Sequence, residues 1–179
     1  MSAEQPIIPL LREALSDNYG KERGGIHVSD VCLCPRQSIF RKIDPKPLTD
    51  TELMFFSLGA SHHGAVQSLI KWLGSERTQI EKKIRFGDIV GSVDLLIDGI
   101  PVELKTQRTK KHTLKSHYVD QLKCYMAMLE ACVGKIITIG LINYDKPFEE
   151  FTITMSVEEI RQKREWLQHE AAMYKKALE

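Results

Sequence analysis

The stretch Ile89-Val-Gly-Ser-Val-Asp-Leu-Leu-Ile-Asp-Gly-Ile-Pro-Val-Glu-Leu-Lys-Thr106 decides how the rest of the chain is read. Asp98-Gly99 is a two-residue turn signal between two apolar runs, which predicts a β-hairpin with strands over 89–97 and 100–106. Such a turn sets Ile97 opposite Ile100, Leu96 opposite Pro101, Leu95 opposite Val102 and Asp94 opposite Glu103. Two carboxylates then share one sheet face with their Cβ atoms about 4.5–5.5 Å apart, an unfavourable pair unless a positive charge lies between them. Lys105, two residues beyond Glu103, projects from the same face. Neutralisation by Lys105 alone would explain the trio at a solvated surface. Val93, Leu95, Leu96, Val102 and Leu104 instead mark a strand mostly buried, where uncompensated charge is costly. Two carboxylates suit a hard divalent cation, and an ammonium suits the charge of a phosphate under attack, so the trio points to phosphodiester hydrolysis.

Outward from this hairpin the pattern is that of an α/β or α+β domain with a mixed sheet flanked by helices. Helical spacing runs over 6–18, Ser29 can cap a short helix, Pro35 starts a further turn, and 40–47 reads as a loop. A long helix is expected over 51–73, with Leu53, Phe56, Ala60, His63 and Leu69 near one side. A strand with Ile80, Ile84 and Phe86 precedes the hairpin. After it come a helix over about 117–132 closed by Gly134, strands over 136–142 and 151–155, and a last helix opened by the capping box Ser156-Val157-Glu158-Glu159. No repeat or long linker divides the chain, so one domain is expected over 1–179: an N-terminal helical segment to residue 50, a core over 51–155 and a C-terminal helix over 156–179.

Composition sets the outer limits. The 179 residues, 42% apolar and 27% charged, exclude fibrous and wholly disordered classes. No apolar run reaches the ~18 residues that would span a bilayer, and residues 1–9 lack the features of a signal peptide, so no membrane partner and a cytoplasmic location are expected. With 25 Lys+Arg against 24 Asp+Glu, bulk charge argues for no partner, and a nucleic-acid site must show as a local cluster. Residues 105–119 contain Arg108, Lys110, Lys111 and Lys115 with His112 and His117 and no acid. An ordinary solvated loop would look the same. Beside the carboxylate pair, the run favours contacts to a nucleic-acid backbone with little base reading.

Gly91-Ser92-Val93-Asp94, then Glu103-Leu104-Lys105-Thr106, then Gln121-Leu122-Lys123-Cys124-Tyr125 resemble the PD-(D/E)XK nuclease signature with the Q-x-x-x-Y extension of its RecB-like group. Gly59-Ala60-Ser61-His62-His63 is similar to that group's G-x-x-x-H motif, and Cys34-Pro35-Arg36 to its N-terminal Cys-Pro-Arg element. Together they are most similar to the CRISPR-associated exonucleases of the Cas-four family. The resemblance implies a restriction-endonuclease-like nuclease fold, with Asp94, Glu103, the Leu104 carbonyl and His63 as ligands of Mg²⁺ or Mn²⁺. It implies that Lys105 positions water or phosphate, and that Gln121 and Tyr125 lie near the metal and DNA, although packing alone would also explain Tyr125. The implied activity is a metal-dependent exonuclease on single-stranded DNA ends or flaps. One rival is a non-catalytic DNA-binding module working with a CRISPR integrase in spacer acquisition; another is a cysteine-ligated redox or zinc protein. Family members often hold an iron–sulfur cluster through one N-terminal and three C-terminal cysteines. Cys34 matches the first, but no cysteine follows Cys132, so no cluster is expected.

Overall fold

The computed structural model describes residues 7–19, 24–72, 76–108, 112–141 and 146–179. In chain order the elements are α1 (Ile7–Tyr19), β1 (Ile26–His27), α2 (Val28–Cys32), α3 (Pro35–Ile43), α4 (Asp50–Trp72), β2 (Thr78–Phe86), β3 (Ile89–Ile97), β4 (Ile100–Gln107), α5 (Ser116–Leu129), β5 (Val133–Gly140), β6 (Phe148–Thr154) and α6 (Val157–Lys176). This is the expected mixed α/β architecture. The strands form one six-stranded sheet in the order β1-β3-β4-β5-β6, with β2 on the other edge of β3. Among the described residues no helix is long and apolar enough to cross a membrane.

The hairpin turn is as read: Asp98 and Gly99 both take positive φ, and Leu95–Val102, Leu96–Pro101 and Ile97–Ile100 pair. The ladder then stops, so Asp94 and Glu103 are not cross-strand partners. From Val102 onward β4 runs parallel to β5, with Glu103 opposite Ile136 and Lys105 opposite Thr138. On the edge of β3 that β4 leaves, β1 pairs with Ile89 and Val90. A cleft therefore opens between β1 and β4, with Asp94 on its wall.

The strand also changes face at Asp94. Ile89 and Val93 pack with Val28 and Val31 of α2, Cys124 and Tyr125 of α5, and Leu167 and Tyr174 of α6. Leu95 packs instead with Val102, Leu104 and, from α4, Val66 and Ile70. Simple alternation would send Val93 and Leu95 to the same face. In β2, Ile84 joins the first cluster and Ile80 the second, and between them Glu81 has φ 49°, a left-handed conformation that costs an L-residue about 1–2 kcal/mol. Pairing runs from Ile80–Leu95 to Lys82–Val93 and omits Glu81–Asp94, so a matched kink crosses both strands.

Several expected boundaries move. α3 continues to Ile43 where a loop was expected, because Pro35 at its first turn favours helix and nothing breaks it until Asp44. The short helix before it starts at Val28 rather than behind a Ser29 cap; Asp30 accepts the His27 N–H at 2.8 Å. α5 ends at Leu129 with left-handed Glu130, and Gly134, expected to close it, lies in β5. A Cβ there would sit 2.8 Å from Met126 Sδ, so Gly134 serves the close packing of β5 on α5. Along α4, Leu53 is buried, but Phe56, Ala60 and Leu69 are exposed rather than on a core face. The Ser156 capping box is present as read, with Glu159 N–H on Ser156 Oγ at 3.2 Å and Ser156 N–H on Glu159 Oε2 at 2.7 Å.

Candidate active site

Asp94, Glu103, Lys105, His63, Gln121 and Tyr125 gather around the cleft between β1 and β4, where β4 leaves β3. The kink at Asp94 lets its carboxylate face α4 while staying close to β4. Its Oδ2 accepts the Leu104 N–H at 2.8 Å, and its Oδ1 lies 3.7 Å from His63 Nδ1. Gln67, one turn beyond His63 on α4, donates to the Asp94 carbonyl at 3.4 Å. His62 turns away, its ring bonded to the Leu58 carbonyl at 2.7 Å. Burial would lower the His63 pKa, but the nearby Asp94 carboxylate and then the charge of Glu103 outweigh burial and raise it.

Glu103 is only 2% exposed. Its Oε1 accepts from Lys105 Nζ at 2.7 Å, whereas Oε2 is buried and has no hydrogen-bond partner among the described residues. Burial first, and the Asp94 charge second, push its pKa from 4.5 up to about 7 in spite of Lys105. Lys105 donates a second bond to Gln121 Oε1 at 2.9 Å, and Gln121 Nε2 donates to Tyr125 Oη at 3.0 Å. The ammonium is thus aimed at Glu103 by a two-residue chain on α5. Its Nζ also lies 5.2 Å from the centre of the Tyr118 ring.

Tyr125 is 4% exposed, and burial raises its pKa; it braces Gln121 from the core and presents no surface to a ligand. Gly91 makes room for it, since a Cβ there would stand 2.7 Å from the Tyr125 ring. Tyr118 and Gln67 escaped the sequence reading. Their signal was helical spacing: Tyr118 lies three residues before Gln121, and Gln67 four after His63.

The basic run is only partly visible. Arg108, directly after β4, is exposed and stacks its guanidinium 3.7 Å from the Phe55 ring centre, while Lys115 precedes α5 with its Nζ 5.6 Å from that of Tyr118. Lys110 and Lys111 lie outside the described residues. His112 is turned inward, bonded to Thr138 Oγ1 at 2.6 Å and the Lys146 carbonyl at 2.7 Å. Of the cysteines, Cys34 and Cys132 are exposed, Cys32 is half-buried and Cys124 is buried.

Among the described residues, no three His, Cys, Asp or Glu side chains close into a ready metal cage. The donor set still fits a hard divalent ion. Mg²⁺ keeps several waters and needs only one or two protein carboxylates. The Oε2 of Glu103, without a partner among the described residues, and the Asp94 Oδ1, 3.7 Å from His63 Nδ1, are such oxygens. Asp94 and Glu103 would be the two carboxylates to take such an ion, with His63 3.7 Å from Asp94 and the Leu104 backbone tied to Asp94 through its N–H.

This mixed sheet, in which β4 has an antiparallel neighbour on one side and a parallel one on the other, is a fold shared with solved structures, two of them of exonucleases. Solved structures that share it are SSO0001 (TM-score 0.63, 22% identity, covering 91% of this chain and 86% of that one) and the alkaline exonuclease LHK-Exo of Laribacter hongkongensis (TM-score 0.57, 16% identity, 85% and 90%). A phage-related exonuclease from Haemophilus somnus 129PT shares it as well (TM-score 0.55, 11% identity, 78% of each chain). The chain is similar to the CRISPR-associated exonuclease Cas4 of Saccharolobus solfataricus, 27% identical over 170 residues, with 84% of each protein covered. No family model matches the chain.

Proposed function

We propose that this protein is a nuclease acting on DNA that depends on Mg²⁺ or Mn²⁺ and works as an exonuclease on single-stranded ends or flaps, in the cytoplasm, as one nuclease domain. The observation that carries the reading is the buried oxygen of Glu103, unpartnered among the described residues, on the carboxylate that Lys105 holds through its other oxygen. A fold does not keep an orphaned carboxylate oxygen of this kind for stability, since removing it from water is costly. The similar Saccharolobus protein, named as an exonuclease, supports the same conclusion.

When bound, the divalent ion supplies Lewis acidity toward a phosphodiester oxygen and toward water. The chain's own residues do the rest. Asp94 and Glu103 provide negative oxygens, and the Leu104 N–H fixes the Asp94 carboxylate in one orientation. Lys105, held by Gln121, offers its ammonium to the charge that grows on the phosphate. Arg108 and Lys115, both exposed, supply positive charge for backbone phosphates.

Purified protein incubated with end-labelled single-stranded and duplex DNA, with Mg²⁺, Mn²⁺ or EDTA, tests this directly. Cutting that needs the metal and disappears in Glu103→Gln is expected. DNA bound but uncut under every condition would instead favour the second reading, a non-catalytic module acting with a CRISPR integrase. The observation on that side is the CRISPR association of the Saccharolobus relative. The complete Asp94, Glu103 and Lys105 trio weighs against it.

A further inference from the structure

We infer that Phe55 and Arg108 form a stacking platform for unpaired nucleobases beside the scissile position, so that the enzyme grips single strands through their bases as well as their phosphates. This rests on the nuclease reading and adds to it how the substrate is held.

The platform is exposed yet built. Phe55 is 44% exposed, next to Met54 at 50% and Phe56 at 44%, a costly apolar patch for a solvated helix. The Arg108 guanidinium covers part of it, 3.7 Å from the Phe55 ring centre. Arg108 does not reach there on a free loop. Its predecessor Gln107 is buried and bonded through its side chain to the backbone of Thr113, whose N–H it accepts at 2.8 Å, and through its carbonyl to the Leu141 N–H at 3.0 Å. A fixed backbone therefore presents a flat cation against a flat ring before any ligand arrives.

The position ties it to the site at both ends. Arg108 follows β4, which carries Glu103 and Lys105. Phe55 lies on α4, which carries His63 eight residues on, or about 12 Å along the axis at a rise of 1.5 Å per residue. A strand seated at Glu103 would pass the platform within a short length of chain.

Charge selects the occupant. Of the acids at the start of α4, Asp50 is neutralised by Arg12 at 2.6 Å, and Glu52 keeps its charge but is drawn back onto the Thr49 N–H at 2.8 Å, leaving Arg108 as the charge in contact with the Phe55 ring. The surface beside Phe55 therefore offers cation and π-face together, which suits stacked bases of a polyanion. Every base has a π-face, so the platform carries no sequence preference.

The test uses the uncleaving Glu103→Gln background and fluorescence anisotropy with two probes, an oligo-dT and an abasic oligomer of equal length. Phe55→Ala should weaken oligo-dT binding roughly 5- to 150-fold, the loss expected for one stacked base, and change abasic binding less than twofold. Phe55→Trp should restore the oligo-dT affinity; Phe55→Leu, apolar without a π-face, should not. Equal weakening on both probes, or none on either, overturns the platform. If the native protein cuts DNA while Phe55→Ala binds oligo-dT normally, the platform alone fails; if it neither binds nor cuts, the nuclease reading fails with it.

Discussion

Asp94 has two duties that different substitutions separate. Its Oδ2 satisfies the N–H of fully buried Leu104, while its charge serves the site. Asp94→Asn keeps an oxygen for that N–H, so cleavage should vanish with little change in melting temperature. Asp94→Ala should also abolish cleavage but cost roughly 1–3 kcal/mol from the orphaned donor, partly offset by relief of the repulsion with Glu103. Equal melting temperatures for the two variants would show that the hydrogen bond does not hold the fold. Glu103 gives a pH signature. Its pKa stands at about 7 in the fold against an ordinary 4.5, so the folded state favours the protonated acid. That contribution is full below about pH 4.5 and is lost as pH rises through 7. In EDTA, Glu103→Gln, which cannot ionise, should therefore gain melting temperature relative to the native protein across that window. A difference that stays flat with pH would contradict the burial of an ionisable group there.

At the scale of elements, the matched kink of β2 and β3 is what aims Asp94 toward α4. Glu81 holds its half of the kink in a left-handed conformation at φ 49°. Strand propensity would favour Val at this position and penalise Gly. The backbone reverses that order, because Gly adopts positive φ freely and a β-branched residue does not. Thermal melts should place Glu81→Gly at or above the native protein and Glu81→Val below Glu81→Gly by at least about 1 kcal/mol. If Val proved the more stable, the left-handed turn and the face change it produces would not exist. The α5 side of the site depends on a similar accommodation: Gly91 leaves the space that the Tyr125 ring fills, and Tyr125 in turn supports Gln121 and Lys105.

For the whole molecule, the distribution of the four thiols offers a check on how the helices pack around the sheet. Cys34 and Cys132 are exposed, and Cys124 is sealed between α5 and its neighbours, with burial and a hydrogen bond shared with Cys32 raising its pKa. A thiol reagent such as Ellman's should label Cys34 and Cys132 in the folded protein within minutes and reach Cys124 only after denaturation. Rapid labelling of Cys124 would mean that α2 and α6 do not cover α5 as described. The same global packing explains which features could be read in the chain and which could not. Asp98-Gly99, the strands on either side, the Ser156 cap and the approach of Lys105 to Glu103 two residues before it are local, set by turn chemistry, alternation and capping within a few residues, and the sequence by itself determined them. The end of α5, the exposed apolar arc of α4 and the loss of Asp94–Glu103 pairing were decided only in three dimensions. Val102 onward gains more by lying parallel to β5 than by continuing along β3, and that choice depends on a strand some thirty residues away in sequence. The cleft, the orphaned oxygen of Glu103 and the bracing of Lys105 by α5 all follow from it, since burial and long-range pairing are properties of the assembled sheet rather than of any segment.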